Sequence, residues 1–262
     1  MNLIEKRFSK AAMAYDSRAL IQKRIAAALL AEIPEGFSHA ADLGSGPGVN
    51  FKRLRQKAIQ VTGIDFSPAM TGIAASLGIP GVRAVTGNIE EIPLPDNSCD
   101  LLFSSLALQW CRMDRVFREI RRVSRNRSFI ALAFPVSGTL TELEEALRKA
   151  GLQNRIIRFH EPEEIKQILK NTGISGNIRL SEQDFTECYS SARDYLDSIR
   201  KIGAGSAPEN SPVSRDSYRR LHDLLRELER QNRLVHTYRT LFITGYLLKN
   251  AAPPLPAQKF IC

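Results

Sequence analysis

The stretch Ala41-Asp42-Leu43-Gly44-Ser45-Gly46-Pro47-Gly48 decides the fold. His39 to Leu43 reads as a short strand, and Asn50 to Lys57 as the helix that follows it. Between them, alternating glycines let the backbone turn sharply and come close to a ligand, where side chains would block it. A glycine loop alone also fits a plain tight turn. Two acids narrow the choice. Asp42 sits just before the turn, where a buried unpaired carboxylate is costly, so a cationic or hydrogen-bonding partner is expected. Asp65 ends the next strand, about twenty residues on, where an acid can take both hydroxyls of a ribose. Ser67-Pro68 supplies a cap and a first-turn proline for the next helix, which leaves Asp65 freer for a ligand.

The competing ligand is a nicotinamide dinucleotide. Its fingerprint is G-x-G-x-x-G, whereas this loop is G-x-G-x-G with an acid in front. With no pyrophosphate to hold, acids beside the glycines suit a ligand that carries an ammonium group and a ribose. S-adenosylmethionine has both.

Outward from the loop, helix and strand patterns alternate, which argues for βαβ units and a parallel sheet. Helices are expected at Ala19–Ile33, Pro68–Leu77 and Asp114–Val123, and strands at Gln60–Ile64, Val82–Thr86, Cys99–Ser104 and Ser128–Phe134. The second half changes rhythm. Leu140–Ala150, Glu163–Asn171 and Ala192–Ile202 read as helices, and Asn177–Cys188 and Leu234–Leu247 as extended. Gly203 to Ser217 reads as a mobile loop, with a basic amphipathic helix after it. The expected fold is α/β and Rossmann-like, a mostly parallel seven-stranded sheet with helices on both faces and an antiparallel strand near its end. Residues 1–250 form a single domain in this reading, with 1–33 as an N-terminal helical cover. Residues 138–158 and 190–232 are substrate-side helical additions, and 251–262 a flexible tail.

The net charge of +9 favours an acidic partner, which could be nucleic acid, a membrane surface or an acidic protein. The excess concentrates in Arg112–Arg127 and Arg219–Arg239, where a solvated basic face is an equal alternative. Cys99, Cys111, Cys188 and Cys262 form no C-x-x-C pair, so neither a metal site nor a disulfide framework is expected. The start MNLIEKRFSK has no apolar core, and no run approaches the ~20 apolar residues of a membrane span. A cytoplasmic protein without a membrane partner is expected.

Taken together, these residues resemble the class I methyltransferases. Asp42–Gly48 matches their first motif, usually D-L-G-C-G-T-G, and Asp65 the acid after the second strand. Asn88-Ile89-Glu90 follows the third strand, where the family often places an acid against the adenine; a polar loop is the plainer reading. Asn88 replaces the commoner Asp, but an amide can also hydrogen-bond the adenine edge, and Ile89 can pack on the base. The resemblance implies an S-adenosylmethionine set of Asp42, Gly44, Ser45, Gly46, Gly48, Asp65, Phe66, Met70, Asn88, Ile89, Glu90 and Ser104.

A narrower resemblance spans nearly the whole chain. Arg7-Phe8-Ser9-Lys10-Ala11-Ala12 with Tyr15-Asp16, Leu106-Ala107-Leu108-Gln109-Trp110, Gly138-Thr139-Leu140 with Glu142-Leu143, and Arg200-Lys201-Ile202-Gly203-Ala204 are similar to malonyl-acyl-carrier-protein O-methyltransferases of biotin synthesis. Ser124-Arg125-Asn126-Arg127 stands where that family usually has a P-G-G turn. The resemblance implies a malonyl thioester on an acidic acyl carrier protein as substrate, its free carboxylate taking the methyl group and S-adenosylhomocysteine leaving. Nucleic acid is then not the expected partner. A carboxylate is ionised at neutral pH, so no general base is required. Tyr15, Gln109 and Trp110 would wall the transfer pocket. Arg200 would anchor the malonyl carboxylate, with Lys201 in reserve. Each has a plainer role: Trp110 as core, Tyr15 as a cap on the cofactor, Arg200 on a solvated helix face. Two other functions fit the same residues: a small-molecule methyltransferase acting on a quinone precursor, and a non-catalytic basic binding module.

Overall fold

In the computed structural model, the described residues are 20–152, 156–201 and 214–249, and the side chains of residues 199–201 fall outside that set. The first half builds α1 (Leu20–Ala31), β1 (Phe37–Leu43), α2 (Phe51–Lys57), β2 (Ala58–Asp65), α3 (Pro68–Ser76), β3 (Val82–Thr86) and β4 (Cys99–Ser105). A 3₁₀ turn at Leu108–Trp110, α4 (Met113–Val123) and β5 (Ser124–Pro135) follow. The second half holds α5 (Thr141–Lys149), α6 (Pro162–Asn171), β6 (Gly176–Cys188), α7 (Ala192–Lys201), α8 (Arg215–Arg230) and β7 (Val235–Leu247).

The seven strands lie in the order β3-β2-β1-β4-β5-β7-β6. The first five are parallel, and β7 runs antiparallel to both β5 and β6. The expected mostly parallel sheet with helices on both faces is therefore what forms. Parallel strands buried on both sides need apolar residues at consecutive positions, and Leu101, Leu102 and Phe103 of β4 are all fully buried. One face packs Leu29 of α1, Phe51 of α2 and Ala74 of α3 against Ala40, Phe103 and Ala131. The other packs Phe117 and Ile120 of α4 and Ile165 of α6 against Leu43, Leu102 and Ile130.

Several boundaries move for identifiable reasons. β5 starts at Ser124 rather than Ser128, and its pairing with β4 shifts register between Cys99 and Leu101. Arg127 there adopts φ +63, so Ser124–Arg127 bends as irregular strand. The segment read as loop through Ser217 is already helical from Arg215, because Ser214 accepts the amide of Ser217 at 3.0 Å and caps the helix. Residues 203–213 and the tail 251–262 lie outside the described residues, as does most of the expected N-terminal cover. The described part of that cover, α1, buries Ile21, Ile25 and Leu29 in the core under the sheet.

One feature of the sheet matters for function. β5 ends at Pro135, opposite Thr240, while β7 and β6 continue to pair from Arg239↔Asp184 to Val235↔Cys188. This ribbon overhangs the carboxyl edge of the parallel strands. Tyr195 of α7, Leu221 and Leu225 of α8, and Leu143 and Ala146 of α5 join Phe185, Tyr238 and Phe242 in one buried cluster upon it. The three helices thus form a cap at the edge where the glycine loop lies.

Candidate active site

The loop after β1 is built by its own backbone. The amides of Gly44 and Ser45 both donate to the Ile64 carbonyl, at 2.8 and 3.0 Å, and Gly48 N donates to Ser45 O at 3.1 Å. Gly44, Gly46 and Gly48 have φ of +75, +53 and +83, a region that favours glycine. At Gly44 the requirement is double. A Cβ there would lie 2.2 Å from the Cβ of Ala107. The Leu106–Trp110 segment therefore seats directly on the glycine loop, and Leu106 takes φ +58 to let it do so. Beside Gly46, by contrast, a Cβ would meet nothing within 4 Å. The loop opens there.

Two carboxyls lie behind it. Asp65 is buried, and its oxygens accept Gly46 N and Ser67 N, both at 2.9 Å. Asp65 thus clamps the loop as well as closing the strand, and it is less free than the Ser67-Pro68 cap suggests. Each carboxylate oxygen still has a lone pair for a further donor. Burial raises its pKa, and the two amide bonds oppose the rise. Asp42 is 1% exposed, and its Oδ2 accepts no hydrogen bond among the described residues. The partner expected for it is not supplied by those residues. Burial and the nearby Asp65 push its pKa up to about 8. The buried hydroxyl of Ser45 also lacks a partner among the described residues. The donor set behind the loop is thus acidic and under-satisfied, which suits a cationic ligand and repels a pyrophosphate.

The remaining residues of the expected cofactor set fall into three groups. Phe66 stands partly exposed just after Asp65, while Met70 is buried on α3, its amide donating to Ser67 Oγ at 3.4 Å. Asn88 is exposed at the carboxyl end of β3, with Oδ1 accepting Glu90 N at 2.9 Å, and Ile89 is buried in the core. Glu90 turns to α4: its Oε1 accepts Arg112 N at 2.9 Å, and Arg115 approaches Oε2 at 3.8 Å. Ser104 is fully buried and donates to Leu43 O at 2.7 Å, so it braces β4 against β1 beneath the loop. Direct contact by Ser104 with a ligand does not fit that placement.

In the Leu106–Trp110 turn, Gln109 Nε2 donates to Leu106 O at 2.7 Å. Its Oε1 is buried without a partner among the described residues. Trp110 is partly buried beside it. Tyr15 lies outside the described residues. Arg200 and Lys201 close α7, with their side chains outside that set.

A buried polar cluster under the cap has no counterpart in the sequence reading. His236 is fully buried, its ring centroid 3.9 Å from Tyr195 and 4.8 Å from Tyr189. Its Nδ1 pairs with Ser198 Oγ at 3.2 Å, and Ser198 Oγ donates to the Tyr195 carbonyl at 2.7 Å. Burial pushes the imidazole pKa down to about 3, so it is neutral at physiological pH. Glu142 of α5 accepts the amide of Thr237 at 3.3 Å and also bonds its hydroxyl. The strand period would have placed His236 and Tyr238 on the core face with Thr240 and Phe242.

A parallel sheet with this strand order, a glycine loop after β1 and acids behind it define a class I S-adenosylmethionine-dependent methyltransferase. Residues 41–132 match the family model described as a methyltransferase domain. The chain is 31% identical over 246 residues to the malonyl-[acyl-carrier protein] O-methyltransferase of Dechloromonas aromatica, with 92% of each chain covered. It is 30% identical to the like-named protein of Pseudescherichia vulneris, over 91% of this chain and 96% of that one. The chain belongs to the malonyl-acyl-carrier-protein O-methyltransferase family. The YcgJ protein of Bacillus subtilis has the same fold, with a TM-score of 0.62 at 17% identity over 87% of this chain and 99% of its own. Among the described residues, no helix is long and apolar enough to cross a membrane, and no cluster of side chains could hold a metal.

Proposed function

We propose that this enzyme transfers a methyl group from S-adenosylmethionine to the free carboxylate of malonyl-acyl-carrier protein. The observation that carries the cofactor half is Asp42, a buried carboxyl with an oxygen unpartnered among the described residues, directly behind an open glycine loop. A ligand ammonium would pair with it, and Asp65 would take the ribose hydroxyls. Gly44, Ser45, Gly46 and Gly48 let the ligand approach, with Phe66 and Met70 beside Asp65. Asn88 and Ile89 flank the adenine, and Glu90 acts by fixing the start of α4. Bound S-adenosylmethionine supplies an electrophilic methyl group on a sulfonium.

The chain's own residues supply position and dryness. A malonyl carboxylate is ionised at neutral pH, so no residue need remove a proton. Gln109 and Trp110 hang over the loop from the turn that seats on Gly44, and with Tyr15 they wall the transfer pocket. The cap excludes water, which strengthens a naked carboxylate as nucleophile and fixes its approach. Arg200 on α7 holds that carboxylate, with Lys201 in reserve. The family relationship supports the carrier-bound substrate, since the two relatives above bear that name.

The test compares carrier proteins bearing malonyl and acetyl groups, each incubated with methyl-labelled S-adenosylmethionine. The two forms differ only in the free carboxylate of the malonyl group, so only the malonyl form becomes labelled. Equal labelling of both would show that the methyl goes elsewhere.

A further inference from the structure

Two arginine-rich helices differ in how their charge is used: α4 with Arg112 before it carries five arginines against two acids, and α8 five against four. On α4, Arg112 and Arg118 pair with Asp114 at 3.7 and 2.6 Å. Arg115 reaches Glu90 at 3.8 Å, and Arg122 holds Glu119 and Asp96, both at 2.7 Å. These cations are consumed locally, and they fasten the helix to the loop beneath it. On α8, Arg230 pairs with Glu227 at 2.7 Å and Arg220 bonds the Asp216 carbonyl at 3.4 Å. Arg215, Arg219 and Arg226 are exposed and form no ion pair with a described residue.

Those three arginines and His222 recur at i, i+4, i+7 and i+11, which is one line along a helix, roughly 16 Å long. Tyr218, 53% exposed, lies beside the line and its ring faces that of His222 at 6.0 Å. Asp216, Asp223 and Glu227 flank this line on one side, with Asp223 at i+4 from Arg219 and i−3 from Arg226, but none of them forms an ion pair with the three arginines among the described residues. The opposite face of α8 buries Leu221 and Leu225 in the cap. The helix therefore presents a row of arginines, unpaired among the described residues, on the cap over the carboxyl edge of the sheet, where the glycine loop opens. A row of exposed guanidinium groups attracts an anionic surface.

We propose that this stripe of Arg215, Arg219, His222 and Arg226 is the docking face for the carrier protein, received through an acidic face of that protein. The inference rests on the carrier-bound substrate proposed above and adds the surface that reads it. The occupant follows from charge and place. A substrate tethered to a protein must be delivered from the rim of the site, and this row is a free cationic surface on that rim. Tyr218 supplies an apolar and hydrogen-bonding contact at its margin.

The test separates docking from chemistry. Binding of the unacylated carrier protein is measured by calorimetry with the wild-type enzyme and with the double variant R219E/R226E. Turnover is measured in parallel with malonyl-carrier protein and with malonyl-pantetheine, which lacks the protein. The wild type binds the carrier, more weakly as salt rises, and the double variant loses about tenfold or more in both affinity and kcat/KM for the carrier substrate. Its turnover of malonyl-pantetheine stays at the wild-type value, which also reports an intact fold. Equal binding by both enzymes overturns the proposal, as does a wild type that fails to bind carrier. Loss with both substrates overturns it too, by placing the arginines in the fold or the chemistry. Equal, equally R219E/R226E-sensitive binding of duplex RNA or of anionic phosphatidylserine vesicles would overturn it in favour of a general polyanion surface. If malonyl-carrier protein is bound through the stripe but never methylated, docking stands and the proposed reaction fails.

Discussion

Replacing Asp42 with Asn should stabilise the ligand-free enzyme while weakening its hold on the cofactor. Asp42 is 1% exposed, and its pKa rises from 3.8 to about 8 through burial first and Asp65 second. The native state therefore holds this proton more tightly than the unfolded chain does. Stability from that difference is fully present below pH 3.8 and is lost as pH rises towards 8, at about 1.4 kcal/mol per pH unit. Asn has nearly the same shape and no proton to lose. Urea unfolding of both proteins at about pH 6 and about pH 7.5 should show the wild type losing about 2 kcal/mol more than D42N across the interval. Slopes from other groups are shared and cancel in the difference. S-adenosylhomocysteine, which keeps the ammonium and ribose of the donor, should bind D42N about ten- to a hundred-fold more weakly. Parallel pH profiles with unchanged affinity would refute the reasoning, because Asp42 would then be an ordinary solvated carboxylate with no part in the site.

Gly44→Ala meets both a left-handed φ and the Cβ of Ala107, so it should abolish cofactor binding and lower stability by about 1–3 kcal/mol; thermal unfolding with and without S-adenosylhomocysteine reads both. His236 has its pKa lowered from 6.5 to about 3, so its contribution is present above pH 6.5 and is lost as pH falls towards 3. His236→Phe should remove about 2 kcal/mol of the acid sensitivity seen between about pH 7 and pH 5, and an unchanged acid limb of the stability profile would contradict this. Arg200→Met should spare affinity for S-adenosylhomocysteine and cut kcat/KM for malonyl-carrier protein by about 2–4 kcal/mol in transition-state binding. Wild-type turnover in that variant would pass the anchoring role to Lys201.

The glycine loop and the two acids are readable because they answer a local demand. Positive φ at Gly44, Gly46 and Gly48 and a carboxylate at each strand end are set by residues close in the chain. The sheet is legible for the same reason, since a strand buried on both faces leaves its mark in consecutive apolar residues. What escaped depends on contacts between distant segments. Asp65 clamping Gly46 and Ser67, and Ser104 bonding Leu43, follow from strand adjacency that periodicity does not give. Glu90 reads as a ligand contact from its place after β3, and its bond to Arg112 N, twenty-two residues away, leaves no mark in the sequence. The two basic helices look alike as sequence. Only their partners separate them: the arginines of α4 pair with Glu90 and Asp96 from neighbouring loops and with Asp114 and Glu119 of the helix itself, whereas Arg215, Arg219 and Arg226 of α8 have no ion pair among the described residues. A lone histidine in a strand pattern, as His236 is, carries no signal until its neighbours Tyr195 and Ser198 are brought to it by a separate helix.

The central claim is that the methyl group ends on the oxygen of a carrier-bound carboxylate. The direct measurement is the linkage of the labelled product. Malonyl-carrier protein treated with the enzyme and methyl-labelled S-adenosylmethionine is isolated, exposed to mild alkali, and the volatile label is collected. An O-methyl ester releases its label as methanol, which is the result this account predicts. Label that stays non-volatile after alkali would mean a carbon- or nitrogen-methyl product, and would contradict it.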